Sequence, residues 1–200
     1  MPTIFDNITE DTRLGPALKA DLTNFQTLDV ATGYLDLRGW SAFADIIETK
    51  STDGVDRSIA RLLVGMVMPS EAAAMLGALQ EQLQPPAYGS EINSLEKAMA
   101  AKEQLVRHLR TQLMRGIPNS AGQTTLQKLR DQLASGIVEM KVFTDAPLHG
   151  KTYLFHDPGN KYHQECRGYV GSSNLTAAGF YKNLELNIDV TDQDLSLIHI

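Results

Sequence analysis

A single cysteine, Cys166, in 200 residues excludes an internal disulfide and fits a reducing compartment. No apolar run approaches the length of a membrane span, so the chain predicts no membrane partner. The first dozen residues lack a basic stretch followed by a long apolar one, so no signal peptide is expected and the cytoplasm is the expected location. A net charge of -6 argues against a surface coated in positive charge, although a local basic face stays possible. Internal repeats and low-complexity segments are absent. Nothing in the chain implies a cofactor, and no spacing of His and Cys matches a metal site. His156, His163 and Cys166 read better as part of a polar hairpin than as ligands.

What is present suits one domain with a proper core. Apolar residues at helical spacing predict helices over 12–24, 40–49, 91–114 and 124–134, with a further helix opening after Ser70. Strand signals fall at 27–35, 61–68, 138–143, 149–155, 168–171 and 184–190. Residues 175–181 read as a short helical turn. The order is strands, then a helical block, then strands. It predicts an α/β fold: a mixed β-sheet flanked by helices, with a helical insertion over about 69–135. Lys102, Arg107, Arg110, Arg115, Lys128 and Arg130 give that block a basic tilt. This suits either contact with nucleic-acid backbone or a solvated helix face with ordinary ion pairs. Trp40 reads as packing. Tyr34 lies near the candidate pocket or packs.

The end of the chain stands apart. Residues 195–200, Leu-Ser-Leu-Ile-His-Ile, resemble translated sequencing-adapter DNA, and the plainer alternative is a short apolar tail. The first reading places one domain over 1–194 and predicts that the natural chain continues past it.

The chemistry concentrates in two short stretches. His149-Gly-Lys151 puts an imidazole and an ammonium two residues apart, on one face if the segment is a strand. Gly171-Ser172-Ser173-Asn174 adds a turn with small side chains and hydrogen-bond donors. The combination suits a pocket that holds a phosphate and attacks it. His-x-Lys alone recurs by chance and is mostly solvated surface. The Gly-Ser-Ser-Asn turn, the later Glu185 and the flanking strands lift it above that reading.

With those residues in view, the segment from Leu148 to Val190 resembles the phospholipase D superfamily, whose signature is H-x-K-x4-D, a G-S-x-N turn and a later Glu. Ile4-Phe5-Asp6-Asn7 and Ala31-Thr32-Gly33-Tyr34 resemble the phospholipase D-like modules of bacterial helicase-type proteins and related nucleases. The resemblance implies His149 as nucleophile through a phosphohistidine, and Lys151 and Asn174 on the phosphate oxygens. Ser172 or Ser173 would add a hydroxyl or N–H to the phosphate, and Glu185 would orient the histidine of a second motif. It implies metal-independent phosphodiester hydrolysis on nucleic acid, with DNA expected first, and a helicase domain downstream. A non-catalytic DNA phosphate-binding module and a phospholipase are the other readings.

Two features depart from the family pattern. The position of its Asp holds His156, with Asp157 one residue late before Pro158-Gly159. Only one H-x-K is present; His108-Leu109-Arg110 is the nearest imitation and sits in an expected helix. A homodimer meeting at the active-site face would supply the second histidine.

Overall fold

The computed structural model describes residues 3–51, 58–65, 99–100, 103, 106–107, 120–143, 148–157 and 166–191. Its strands are β1 (Ile4–Phe5), β2 (Thr27–Thr32), β3 (Ala60–Val64), β4 (Val138–Val142), β5 (Thr152–His156), β6 (Cys166–Gly171) and β7 (Asn187–Thr191). Its helices are α1 (Leu14–Asn24), α2 (Leu37–Ser51), α3 (Ser120–Ala134) and α4 (Ala177–Tyr181). The seven strands form one sheet in the order β1-β7-β6-β5-β2-β3-β4. β2, β3 and β4 run parallel, and the pairings from β2 through β5, β6 and β7 to β1 are antiparallel. The sheet is therefore mixed, as the element order predicted.

Alternation along the strands decides which side is core. Leu28 and Val30 stand beside Ala60 and Leu62 on one flank and Phe155 and Tyr153 on the other. All of these belong to the same buried cluster, which the helices complete with Leu14, Leu18 and Leu22 of α1, Trp40, Phe43 and Ile47 of α2, Leu129 of α3 and Phe180 of α4. Burying each of the Leu, Ile, Val and Phe side chains contributes on the order of 1.5–3 kcal/mol. Trp40 packs, as its spacing suggested, and its indole N–H donates to Gln132 Oε1 at 3.1 Å.

Parallel β3 and β4 need a crossover, and α3 provides its return leg against α2 and β4. This helix closes the stretch expected as an insertion, and it contributes to the core. The helices expected over 70–83 and 91–114 fall mainly outside the described residues, as do His108, His163 and the tail at 195–200. Of the basic block, Lys128 pairs with Asp45 at 2.7 Å and Glu48 at 2.6 Å, Arg107 with Glu103 at 2.9 Å and Arg130 with Asp131 at 2.7 Å. These three cations thus carry ordinary ion pairs.

Several boundaries differ from the sequence reading, each for a visible reason. β2 stops at Thr32, three residues early, because Tyr34 N–H turns to the Asn174 side chain and Leu35 bridges Leu175. α2 starts at Leu37, earlier than expected, because Asp36 Oδ1 accepts the Gly39 N–H at 2.5 Å and caps it. β7 starts at Asn187, since Glu185 N–H and Leu186 N–H bond to Asp6 O and Ser172 Oγ. β6 starts two residues before the expected Gly168 and pairs Cys166 with His156.

β1 went unpredicted. It is two residues long and pairs Ile4 with Ile188 at the sheet edge. Asn7, at φ 62, then turns the chain. Its amide donates to Gly179 O at 2.8 Å and Asn183 O at 3.0 Å, and its oxygen accepts the Leu14 N–H at 3.0 Å. One side chain thereby ties β1 to the starts of α1 and the end of α4.

Candidate active site

His149 and Lys151 lie in the extended lead-in to β5 rather than on the strand, which begins at Thr152. The expectation that the pair sits on a strand is corrected to that extent, and the two side chains nevertheless meet. Lys151 Nζ is 2.7 Å from His149 Nδ1 and donates to His149 O at 2.7 Å. Lys151 is buried and His149 exposed. Burial lowers the Lys151 ammonium from its ordinary value, and the nearby Glu185 charge works in the opposite direction.

The lead-in is anchored on its far side by Gly171 N–H, which donates to Lys151 O at 3.1 Å. Gly171 has no freedom to be larger: a Cβ there would lie 2.2 Å from Leu186 O and 2.5 Å from Asn187 Oδ1. That close approach brings the turn 171–174 against the start of β7, and with it Glu185.

The turn residues divide into two kinds. Ser173 is fully buried. Its hydroxyl donates to Gly179 O at 2.9 Å and accepts from Asn187 Nδ2 at 2.8 Å, and its N–H donates to Asn187 Oδ1 at 3.1 Å. Tyr153 OH donates to its carbonyl at 2.9 Å. Every polar group of Ser173 is thus spent on holding the turn. Ser172 is exposed; its hydroxyl donates to the Glu185 carboxylate and accepts the Leu186 N–H at 2.9 Å.

Asn174 is oriented by β2. Its Oδ1 accepts the Tyr34 N–H at 3.0 Å and lies 3.4 Å from Thr32 Oγ1. Its Nδ2 has no hydrogen-bond partner among the described residues, so two N–H donors stay available for a ligand. Gly179 keeps the loop tight, since a Cβ there would lie 2.7 Å from Asn174 O. Glu185 also accepts from Asn183 Nδ2 at 3.3 Å, and its N–H reaches Asp6 O at 3.3 Å.

His149, Lys151, Asn174, Ser172 and Glu185 are thus gathered at one end of the sheet, where β2 and β6 end and β5 and β7 begin. A cation, two amide donors, an imidazole and a carboxylate together can bind a phosphate and exchange protons with it.

The position where the family pattern has Asp behaves differently. His156 lies at the opposite end of β5, its Nε2 3.2 Å from Asp29 Oδ2, and Arg61 holds the same carboxylate through Nε at 2.6 Å. Asp157 accepts the Gln26 N–H at 2.5 Å, closing the turn into β2. Neither reaches His149. Among the described residues no group of three or more His, Cys, Asp or Glu is placed to hold a metal ion.

The sequence placed Tyr34 near the pocket or in packing, and its N–H does meet Asn174, but Thr32 stood only within a resembling stretch and had no role. The available signal was the Thr-Gly-Tyr step at a strand end, where a turn must feed a neighbouring loop. Asp36 was missed as well: besides capping α2, its Oδ1 accepts the Ala177 N–H at 3.2 Å at the start of α4.

A family model described as "Cardiolipin synthase, PLD-like domain" matches residues 21–198. The chain belongs to this family of phospholipase D-like domains, and phosphodiester-related chemistry is the activity such a domain suggests. Among curated proteins, none matches the chain.

Proposed function

We propose that this domain hydrolyses phosphodiesters, with nucleic acid as substrate and DNA first among them, through a phosphohistidine at His149. The observation that carries the reading is the buried Lys151 ammonium beside His149, with the Asn174 Nδ2, which has no partner among the described residues, at the same end of the sheet. The Lys151 ammonium offsets the charge of the non-bridging oxygens, and the Asn174 amide donates hydrogen bonds to them. The His149 Nε2 lone pair attacks phosphorus and the bond to the leaving oxygen breaks. A second histidine, as imidazolium, gives that oxygen its proton. Water then attacks phosphorus, its proton returns to the second histidine, and the P–N bond breaks. The Lys151 charge and the Asn174 hydrogen bonds take the place of a metal ion, so the reaction is metal-independent.

The second histidine comes from another copy of the chain. An apolar rim beside Glu185 supports this: Leu184 is 79% exposed, Leu186 65%, and the paired Ile4 and Ile188 54% and 39%. Such side chains clustered at one sheet edge suit a self-complementary contact. Glu185 would then reach the partner copy's imidazole. The helicase-type setting rests on the resemblance of the chain to modules of that kind.

One observation favours a second reading, a DNA phosphate-binding module without turnover. Lys151 donates to Nδ1 of His149, so the neutral ring carries its hydrogen on Nε2, the atom that must attack. Catalysis therefore requires Lys151 to leave Nδ1.

Turnover of a chromogenic phosphodiester and of labelled DNA in EDTA separates the readings. Metal-free turnover lost in His149→Ala supports the enzyme. Binding without turnover, weakened by Lys151→Ala, supports the module. Preference for phospholipid vesicles over DNA replaces the nucleic-acid substrate by lipid. Full activity from a monomer in sedimentation refutes the shared site.

A further inference from the structure

The side chain of Asn174 can donate to a phosphate only if its amide group faces the right way. A carboxamide has two nearly isosteric orientations, and one presents an oxygen to the ligand instead of two N–H groups. In this structure the orientation is fixed from the other half of the chain. Tyr34 N–H points at Oδ1 from 3.0 Å. A flipped amide would set Nδ2 against that N–H, donor against donor, so the oxygen is held on the Tyr34 side and Nδ2 on the other.

What holds Tyr34 in place is Thr32. Its hydroxyl is wholly buried at the end of β2. It donates to the Tyr34 carbonyl at 2.8 Å and accepts the Leu175 N–H at 3.1 Å. The oxygen that does both sits 3.4 Å from Asn174 Oδ1. One hydroxyl therefore clamps the residues on each side of the amide: Tyr34, which supplies its donor, and Leu175, its chain neighbour. The backbone repeats the link, with Leu35 bridging Leu175 and Asp36 N–H donating to Leu175 O at 3.0 Å. One step beyond the last β2–β5 register pair, Ala31 with Thr152, Thr32 also stands across from Lys151.

We propose that Thr32 is a positioning residue for the phosphate site, setting the Asn174 amide with its N–H groups toward the phosphate. This rests on the assignment of Asn174 to phosphate above. Valine has the shape of threonine without the hydroxyl, so Thr32→Val frees Tyr34 and lets the amide flip. Thr32→Ser keeps the hydroxyl.

The test is the affinity for inorganic phosphate, followed by NMR titration of the Lys151 and Asn174 side chains, in the whole chain. Thr32→Val is expected to weaken binding about tenfold, the loss of one oriented hydrogen bond, while Thr32→Ser stays within about twofold of wild type. In an Asn174→Ala background, Thr32→Val is expected to cost nothing further. Wild-type affinity in Thr32→Val, or the same loss with and without Asn174, overturns the proposal. If Asn174→Ala alone binds phosphate as wild type does, the phosphate-site reading itself fails and the role of Thr32 falls with it. Should Thr32→Val not fold, Thr32→Ala and the Asn174 side-chain amide shifts carry the same comparison: unchanged amide shifts in that variant contradict the clamp, and shifted ones support it.

Discussion

Lys151 Nζ lies 2.7 Å from His149 Nδ1 and the same distance from the His149 carbonyl oxygen. The lysine that should meet the phosphate thus spends its resting hydrogen bonds on the residue that should attack it. Arrival of a phosphate offers the ammonium a better, charged acceptor. The ring nitrogen it leaves can then take the hydrogen, with Nε2 free to attack.

This gives a first prediction. Nitrogen-15 NMR of the neutral imidazole should show His149 with its hydrogen on Nε2 in the free protein. Lys151→Met, or saturation with inorganic phosphate, should raise the Nδ1–H form. A free protein already in the Nδ1–H form would show that the lysine does not mask the ring.

Glu185 is held by Ser172 and Asn183 but makes no hydrogen bond to His149 of its own chain. If it orients a partner copy's imidazole, Glu185→Gln should lower turnover by roughly 100-fold and leave phosphate affinity nearly intact. An equal loss in both would place Glu185 in binding instead.

The turn itself depends on Asn187. Its amide serves Ser173 twice and donates to Phe5 O at 3.1 Å, all in buried surroundings. Asn187→Ala strands these groups and should cost roughly 2–3 kcal/mol of stability in urea unfolding. A midpoint equal to wild type would show that water replaces the side chain without loss.

Asp29 gives a pH dependence. Burial opposes its ionisation, but hydrogen bonds from His156 and Arg61 outweigh that and hold the carboxyl below its ordinary value of 3.8. A depressed folded value means that the ionised form stabilises the fold above the unfolded value, and that this contribution is lost as pH falls through the folded one. Urea midpoints should therefore be higher for wild type than for Asp29→Asn near neutral pH, and the gap should close below pH about 4. A gap that is constant with pH would contradict the pairing.

Much of the fold was legible because its signals are local. Leu14, Leu18 and Leu22 report one helix face, and the apolar run beginning at Arg61 reports a buried parallel strand. The strand ends were not legible. β2 ends at Thr32 because the Asn174 side chain, 140 positions beyond Tyr34, takes the Tyr34 N–H, and no local pattern encodes that. The site divides the same way. His149, Lys151, Asn174 and Glu185 stand in recognisable spacing. The roles of Ser172 and Ser173 depend on which hydroxyl faces inward, and this is set by Asn187 and Gly179 across the turn. The position of His156 in place of the family's Asp was plain, but its pairing with Asp29 depends on strand register.

The central claim is the covalent step at His149. Its most direct measurement is a rapid alkaline quench of the protein turning over a phosphorus-32-labelled phosphodiester, followed by peptide mapping. The account predicts an acid-labile, alkali-stable label on the peptide containing His149 and none in His149→Ala. Steady turnover with no label on that peptide, or turnover that survives His149→Ala, would contradict it.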